Sequence, residues 1–130
     1  MKRVVEELRE AGVFYVATVE QDQPRVRPFG AVMDYKGKAC FCTNNTKDVY
    51  KQLIENPKVE ICGCKEDGAW VRVTGKLIRE DNDVARAAML ESVPGLKEMY
   101  QVGDGIFEVF YLTDASAMLY PRNAAPVKLA

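Results

Sequence analysis

The residue types best suited to binding an anion are concentrated in the segment 24–53. Arg25 and Arg27 are two positions apart in a predicted strand, so both side chains project from the same face of it. The run Thr43-Asn44-Asn45-Thr46-Lys47 then leads into a predicted helix. A helix start offers unpaired N–H donors and the positive end of the helix dipole. Together with the hydroxyl, lysine and arginine groups, it forms the kind of site that binds phosphate.

A second interpretation of the same residues stays open at this point. The polar run before the helix is also what an ordinary helix cap requires, and the basic residues could simply be solvated. Asp48 would lie in the first turn of the helix, where its carboxylate would repel an anion if it faced the same pocket. The spacing alone therefore indicates an anion site without excluding a capped helix.

The four cysteines form two Cys-x-Cys pairs, Cys40/Cys42 and Cys62/Cys64. Four thiols could hold zinc in a tetrahedral site. Zinc-binding pairs, however, usually have two intervening residues in a turn, whereas these pairs fall within predicted strands. Strand alternation puts each pair on one face, where cysteine acts as a small buried hydrophobe. We therefore expect buried thiols and no metal site.

The sequence of 130 residues contains no histidine. This excludes Ser-His-Asp and Cys-His nucleophiles, histidine-based zinc chemistry and haem ligation by imidazole. Eighteen basic and 19 acidic residues give a formal charge of -1, so no field of one sign attracts nucleic acid or anionic lipid. No signal peptide and no apolar run of roughly 20 residues is visible, and we expect a cytoplasmic protein without a membrane or nucleic-acid partner.

Helical and strand patterns predict the elements that would position these groups. Helices are predicted over 2–11, 46–55 and 94–100, and a further helix is capped by the run 80–83 and ends at about 91. Strands are predicted over 13–19, 25–34, 39–43, 59–65, 70–78 and 106–112, the last resuming at 117–120. Pro28 places the second strand at an edge or a bulge. Tight turns between strands predict a mostly antiparallel α+β fold of six or seven strands that tends to close into a barrel, in one domain, 1–120, followed by a loose tail, 121–130.

Four segments occur in a characteristic order: Pro24–Phe29, Cys40–Lys47, Asn56–Val59 and Trp70–Gly75. In that order and spacing the sequence resembles the pyridoxamine 5'-phosphate oxidase-like family of FMN-binding split barrels, including its nitroimidazole-reductase-like branch. The similarity covers roughly Val4 to Tyr120. It implies a small antiparallel split barrel that works as a homodimer, with one FMN per subunit held at the interface.

The resemblance also assigns roles to single residues. Arg27 falls where the family has an arginine that binds the flavin phosphate. Pro28, Phe29 and Gly30 would run their backbone along the isoalloxazine ring. All four residues lie at the end of the second predicted strand, so the resemblance implies that this strand end forms one side of the cofactor site.

Four further residues would complete the cofactor site if the resemblance holds. Cys42 and Thr43 match the strand-end pair that contacts the cofactor. Lys47 matches the family's basic residue at the helix start when one loop residue is deleted. Trp70 falls near a family glutamine that contacts the flavin, and the change of residue type implies stacking instead of hydrogen bonding.

The sequence departs from the family at its C-terminal end, where the true oxidase binds its substrate. That enzyme uses a C-terminal Arg-x-His, whereas this chain ends Pro126-Val127-Lys128-Leu129-Ala130; nitroimidazole reductases of this branch are also associated with a histidine near the flavin. We expect an FMN-dependent oxidoreductase that reduces a small electron-poor substrate with a donor such as NAD(P)H, because the flavin itself carries out the redox step. No catalytic residue is identified. The alternatives are a non-catalytic flavin-binding or sensor module, or a small barrel that binds another phosphorylated ligand or a protein.

Overall fold

The computed structural model describes all residues from 1 to 130. They form one antiparallel sheet with helices at the connections between strands. The helices are α1 Lys2–Ala11, α2 Asp48–Glu55, α3 Asp83–Ser92 and a short 3-10 helix, Pro94–Glu98. The strands are β1 Phe14–Glu20, β2 Gln23–Phe29, β3 Met33–Tyr35, β4 Lys38–Asn44, β5 Lys58–Cys64, β6 Trp70–Arg79, β7 Phe107–Tyr120 and β8 Val127–Lys128.

The strand order is β2-β1-β5-β6-β7-β4-β3, and β8 pairs with β7. Every pairing is antiparallel. The edge strands β2 and β3 follow each other in the chain but do not pair, so the sheet curls without closing. This arrangement confirms the predicted α+β split barrel.

The main core lies between the concave face of the sheet and α1. Alternation along β1 buries Phe14 and Val16 and exposes Tyr15, as expected of a strand with one covered face. Val4 and Leu8 of α1 are fully buried against this face, and each such burial stabilises the fold by about 1.5–3 kcal/mol. A second apolar cluster joins α3 to β3, β4 and β7.

The predicted strand 25–34 is in fact two strands, β2 and β3, because the chain leaves one sheet edge at Gly30 and joins the opposite edge at Met33. The predicted helix start is two residues early. The Asn44 side-chain oxygen accepts hydrogen bonds from the Thr46 backbone N–H and hydroxyl, and this local turn delays the helix until Asp48.

Two other expectations about the elements need correction. The apolar pattern of the helix predicted over 46–55 places Ile54 on the inward face with Val49 and Leu53, but Ile54 is 53% exposed. The last strand is continuous through 107–120, and its pairing with β6 shifts in register beside Gly75. A Cβ at Gly75 would lie 2.9 Å from the Thr113 carbonyl oxygen, so only glycine allows this close approach.

The segment 121–130 returns to the sheet through β8. Val127 and Lys128 pair with Leu119 and Met118. The Leu129 N–H then donates to the Ala117 carbonyl at 2.8 Å. The chain end therefore has regular hydrogen bonds to β7.

Candidate functional site

A cavity of about 350 Å³ opens where β2 and β4 end and α2 begins. Seven of the eight residues singled out from the sequence line it: Arg27, Pro28, Phe29, Gly30, Cys42, Thr43 and Lys47. They come together because β2 is one edge of the sheet and β4 lies next to the other edge, so the curl of the sheet brings the two chain segments close. The structure thus joins these residues in one place, and their role toward a ligand stays a prediction.

The opposite wall of this cavity was not anticipated from the sequence. It includes Val93, which follows α3, Leu96 of the 3-10 helix, and Met99 and Tyr100, which follow that helix. This wall is mostly apolar, and together with Phe29 it gives the cavity an apolar interior with its charged groups at one end. We name this space the apolar cavity.

A second, polar cavity of about 710 Å³ adjoins it. The two cavities share four lining residues, Arg27, Pro28, Lys47 and Val49. The polar cavity is also lined by Glu20, Arg25, Val26, Asp48 and Gln52. Arg27 and Lys47 therefore stand at the junction between a polar and an apolar space.

Arg27 is held in place by four groups of the protein, of which the Arg25 carbonyl oxygen is the most distant, 3.4 Å from Arg27 Nη1. Nη1 also donates to the Val16 carbonyl oxygen at 3.1 Å and to the Thr18 hydroxyl at 2.7 Å. Its Nη2 donates to Gln52 Oε1 at 2.7 Å. Burial lowers the pKa of the Arg27 guanidinium, and the nearby Asp48 carboxylate partly offsets this effect. The guanidinium remains charged at any pH at which the protein is folded.

The start of α2 contributes a free cation and an uncapped backbone. Lys47 is the N-cap residue, and no side chain caps the helix. Lys47 is exposed, with no side-chain hydrogen bond or salt bridge to another residue. Asp48 lines the polar cavity and not the apolar one, so its carboxylate opposes an anion only in the polar cavity.

Two polar residues considered for the anion site are engaged elsewhere. Arg25 forms a salt bridge to Glu20 at 3.0 Å on the same strand pair. The Thr46 hydroxyl donates to Asn44, and Thr46 lines neither cavity. The cationic groups available at the junction are therefore Arg27 and Lys47.

A buried carboxylate that sequence reasoning missed fixes the loop before α2. Glu108 is 3% exposed and accepts hydrogen bonds from Arg79, Arg86 and the side-chain amide of Asn45. Burial alone would raise the pKa of Glu108, but these donors hold it below its usual value. An acid inside the apolar run Ile106–Leu112 was the available signal, because a buried carboxylate requires partners.

Trp70 lies away from both cavities. Its ring stacks on Tyr120 with centroids 4.3 Å apart, and the Arg72 guanidinium lies 5.0 Å from the Trp70 ring centre. Because Val71 and Val73 are buried, alternation places Trp70 on the outer face of the sheet. Within one chain, Trp70 therefore does not join the other seven predicted residues.

All four cysteines are free thiols in different surroundings. Burial raises the pKa of Cys40 to about 11 and that of Cys42 to about 12, so both thiols stay protonated near neutral pH. Cys64 is exposed, and the expectation of buried thiols is wrong for it. No group of three or more His, Cys, Asp or Glu side chains is arranged to hold a metal ion.

No helix of the structure combines the length and the apolar character needed to cross a bilayer.

The sequence profile described as pyridoxamine 5'-phosphate oxidase matches residues 1–116 of this chain. The chain belongs to this family. The resemblance inferred from the sequence is thereby confirmed. A crystal structure of a NimC/NimA family protein from Clostridium acetobutylicum is 49% identical, with a TM-score of 0.97 over 98% of this chain and 90% of that one. Comparison with curated proteins gives no match.

Two more distant structures show the same fold. A pyridoxamine 5'-phosphate oxidase-related, FMN binding protein from Nostoc punctiforme is 17% identical, with a TM-score of 0.66 over 99% of this chain and 94% of that one. A heme binding protein from Mycobacterium smegmatis is 19% identical, with a TM-score of 0.76 over 97% of this chain and 57% of that one. At these identities the similarity concerns the fold alone.

Proposed function

We propose that this protein binds FMN in the two adjoining cavities and works as an FMN-dependent oxidoreductase on a small electron-poor molecule. The observation that carries the proposal is that a polar and an apolar cavity meet at Arg27 and Lys47. FMN has the same division, with a dianionic phosphate and a hydroxylated chain at one end and a flat aromatic ring at the other. Membership of the family and the FMN-binding name of the Nostoc punctiforme relative support the choice of ligand.

The residues of the junction fit the phosphate. Arg27 supplies a fixed guanidinium, and Lys47 supplies an exposed ammonium group at the same two cavities. The uncapped start of α2 adds backbone N–H donors and a partial positive charge. Charge-assisted hydrogen bonds from such groups are the usual means of binding phosphate.

The apolar cavity fits the ring. Its volume of about 350 Å³ lies within the range of about 300–1,000 Å³ typical of small-molecule sites. A Cβ placed on Gly30 would meet nothing within 4 Å, so a flat ligand has room beside this part of the backbone. Phe29 and Val49 offer it apolar contacts from the strand side, and Leu96 and Met99 from the helical wall.

The bound flavin supplies the hydride or electron transfer. The side chains of this protein bind it, orient it and keep water away. Val93 and Leu96 offer apolar surface on one side of the cavity, and a ring bound against them would exclude water there and strengthen electrostatic interactions. Cys42 keeps its proton because burial raises its pKa to about 12, so it adds no thiolate to the chemistry.

We further propose that two copies of the chain pair through the outer face of β1 and β2. Val26 is 67% exposed there, and Val13 and Tyr15 are also largely exposed; contiguous exposed apolar groups mark interaction sites. Pro28 pairs with Tyr15 on this face and also lines both cavities. A second subunit on this face would therefore border the flavin. In such a dimer, the Trp70 that stacks on the flavin of one subunit would come from the other subunit.

The decisive measurement is the visible spectrum of freshly purified protein, with mass analysis of any compound released on denaturation. We expect a yellow protein that releases FMN, is bleached by NAD(P)H and is reoxidised by nitroaromatic or quinone acceptors. A protein bleached by dithionite but by neither nicotinamide donor, and inert toward acceptors, would support a non-catalytic flavin-binding module. A colourless protein that also fails to quench added FMN fluorescence would refute the proposal.

Sedimentation velocity tests the pairing of two copies. Val26→Glu should give monomers, because it places a charge in the proposed interface. Val84→Glu is the matched control, since Val84 is also 67% exposed but lies on α3. If the two variants have the same oligomeric state, the proposed interface is refuted.

A further inference from the structure

Only four polar side chains of the chain are buried: Thr18, Thr43, Gln52 and Glu108. Two of them, Thr18 and Gln52, lie in different elements and come together only beside Arg27. Thr18 is 1% exposed in the middle of β1, and Gln52 is 6% exposed in α2. Neither was assigned a role from the sequence.

The three side chains form a closed ring of hydrogen bonds. The Thr18 hydroxyl donates to Gln52 Oε1 at 2.5 Å. Arg27 donates to the Thr18 hydroxyl through Nη1 and to Gln52 Oε1 through Nη2, both at 2.7 Å. Each oxygen therefore has its partners inside the ring, and both terminal nitrogens of the guanidinium are fixed relative to β1 and α2.

The ring leaves other donors unused. Nε of Arg27 and Nε2 of Gln52 have no hydrogen-bond partner in the protein, and both residues line the polar cavity. A guanidinium is planar with a rigid fork of donors, so fixing Nη1 and Nη2 also fixes the direction of the remaining N–H groups. The ring thus provides hydrogen-bond acceptors for the guanidinium and also fixes its orientation.

We propose that Thr18 and Gln52 are positioning residues that hold Arg27 ready for the phosphate of the bound ligand. This inference rests on the proposed function, which places that phosphate at Arg27 and Lys47. A valine at position 18 would fill nearly the same space on a strand that is otherwise apolar at its buried positions. The hydroxyl is therefore needed for the ring and not for packing. Preorganisation of this kind raises affinity because the side chain is already ordered before binding.

The test compares FMN with riboflavin, which has the same ring and hydroxylated chain but no phosphate. Thr18→Val should lower the affinity for FMN about tenfold, because Arg27 loses a hydrogen bond that orients it toward the phosphate. The affinity for riboflavin should change less than about twofold. Thr18→Ser keeps the hydroxyl and should retain the preference for FMN. Gln52→Met removes the second acceptor at similar length and should act like Thr18→Val. Affinities are measured by quenching of flavin fluorescence.

A second readout needs no flavin. In spectra of protein with ¹⁵N-labelled arginine, the Nη hydrogens of Arg27 should give separate resonances in the wild-type protein and in Thr18→Ser. In Thr18→Val, Nη1 loses its shortest hydrogen bond and keeps only backbone carbonyl acceptors, so these resonances should exchange faster by rotation. The Arg27 resonances are identified by their absence in Arg27→Ala.

The outcomes separate the two proposals. A variant Thr18→Val that keeps the wild-type ratio of FMN to riboflavin affinity, or that loses both affinities equally, would overturn the positioning role. A wild-type protein that binds riboflavin as tightly as FMN would instead refute the phosphate site of the proposed function. In that case the arginine spectra still decide whether Thr18 fixes Arg27.

Discussion

Removing Arg27 and removing Lys47 should weaken FMN binding by very different amounts, although both cations border the same cavities. Arg27 is half-buried and held by Val16, Thr18 and Gln52. Lys47 is exposed, and no protein group orients it. The first side chain is ordered before a ligand arrives, whereas the second must be ordered by the ligand at an entropic cost.

The expected magnitudes follow from this difference. A hydrogen bond between charged groups contributes about 1.5–3 kcal/mol when its geometry is fixed, which corresponds to roughly 10- to 150-fold in Kd. An exposed charge pair contributes about 0.2–1 kcal/mol, or at most about fivefold in Kd. We therefore expect Arg27→Ala to cost at least ten times in FMN affinity and Lys47→Ala no more than about five.

The two variants should also differ in their response to salt. Exposed charges are screened within about 10 Å at 0.1 M ionic strength, and buried ones much less. FMN titrations by fluorescence quenching, at low and high salt, should show the effect of Lys47→Ala disappearing at high salt while that of Arg27→Ala persists. Riboflavin is the control ligand, and neither variant should change its affinity.

The Arg27→Ala variant should fold, because Thr18 and Gln52 keep their mutual hydrogen bond. Thermal denaturation checks this before any affinity is compared. Equal losses from the two variants, or an Arg27→Ala effect that vanishes with salt, would contradict the argument that the ring orders Arg27. Unchanged FMN affinity in the double variant, Arg27→Ala with Lys47→Ala, would refute the assignment of the phosphate site.

Glu108→Gln should lower the free energy of unfolding near neutral pH by about 3 kcal/mol, because two arginines then lack their buried anion. The pKa of Glu108 in the folded protein is below its ordinary value of 4.5. Its contribution is therefore complete above that pH and is lost as the pH falls through the folded-state pKa. Urea denaturation at a series of pH values should show wild type and variant converging in acid, and a constant gap would contradict this reasoning. Iodoacetamide at mildly alkaline pH should modify Cys64 but not Cys42 in the native protein, since burial raises the pKa of Cys42 to about 12. Peptide mass analysis measures both, and equal modification would show that Cys42 is not shielded.

Residue types and spacing predicted that an arginine of the second strand and the run Thr43–Lys47 share one site. The family resemblance, and not a local signal, added Pro28, Phe29 and Gly30. The structure places Arg27–Gly30, Thr43 and Lys47 around one cavity. The apolar wall of Val93, Leu96 and Met99 had no local signal. Those residues reach the cavity only because α3 packs on β3 and β7, a contact between distant parts of the chain.

Thr18 was invisible to sequence reasoning for a different reason. Threonine is favoured in strands for its branched shape, so at position 18 it fits the strand pattern of Val13–Val19 and gives no separate signal. Its hydroxyl acquires a role only when α2 brings Gln52 against β1. Trp70 differs from the other predicted residues, because only the family resemblance gave it a contact with the flavin. Within one chain it lies on the outer face of the sheet and lines neither cavity, so its role stays a prediction.

The placement of buried polar groups links stability to function in this fold. Thr18 and Gln52 contact Arg27, Thr43 lines the apolar cavity, and Glu108 holds Asn45 in the loop before α2. Three of the four buried polar side chains thus contact Arg27 or line a cavity beside it, the fourth holds the loop before α2, and the rest of the buried core is apolar. Burying a polar group costs free energy unless partners are provided, and apolar residues at these positions would often be neutral or stabilising. Stability alone therefore does not account for buried polar groups at these positions, whereas the binding of a dianion at Arg27, as proposed above, would account for them.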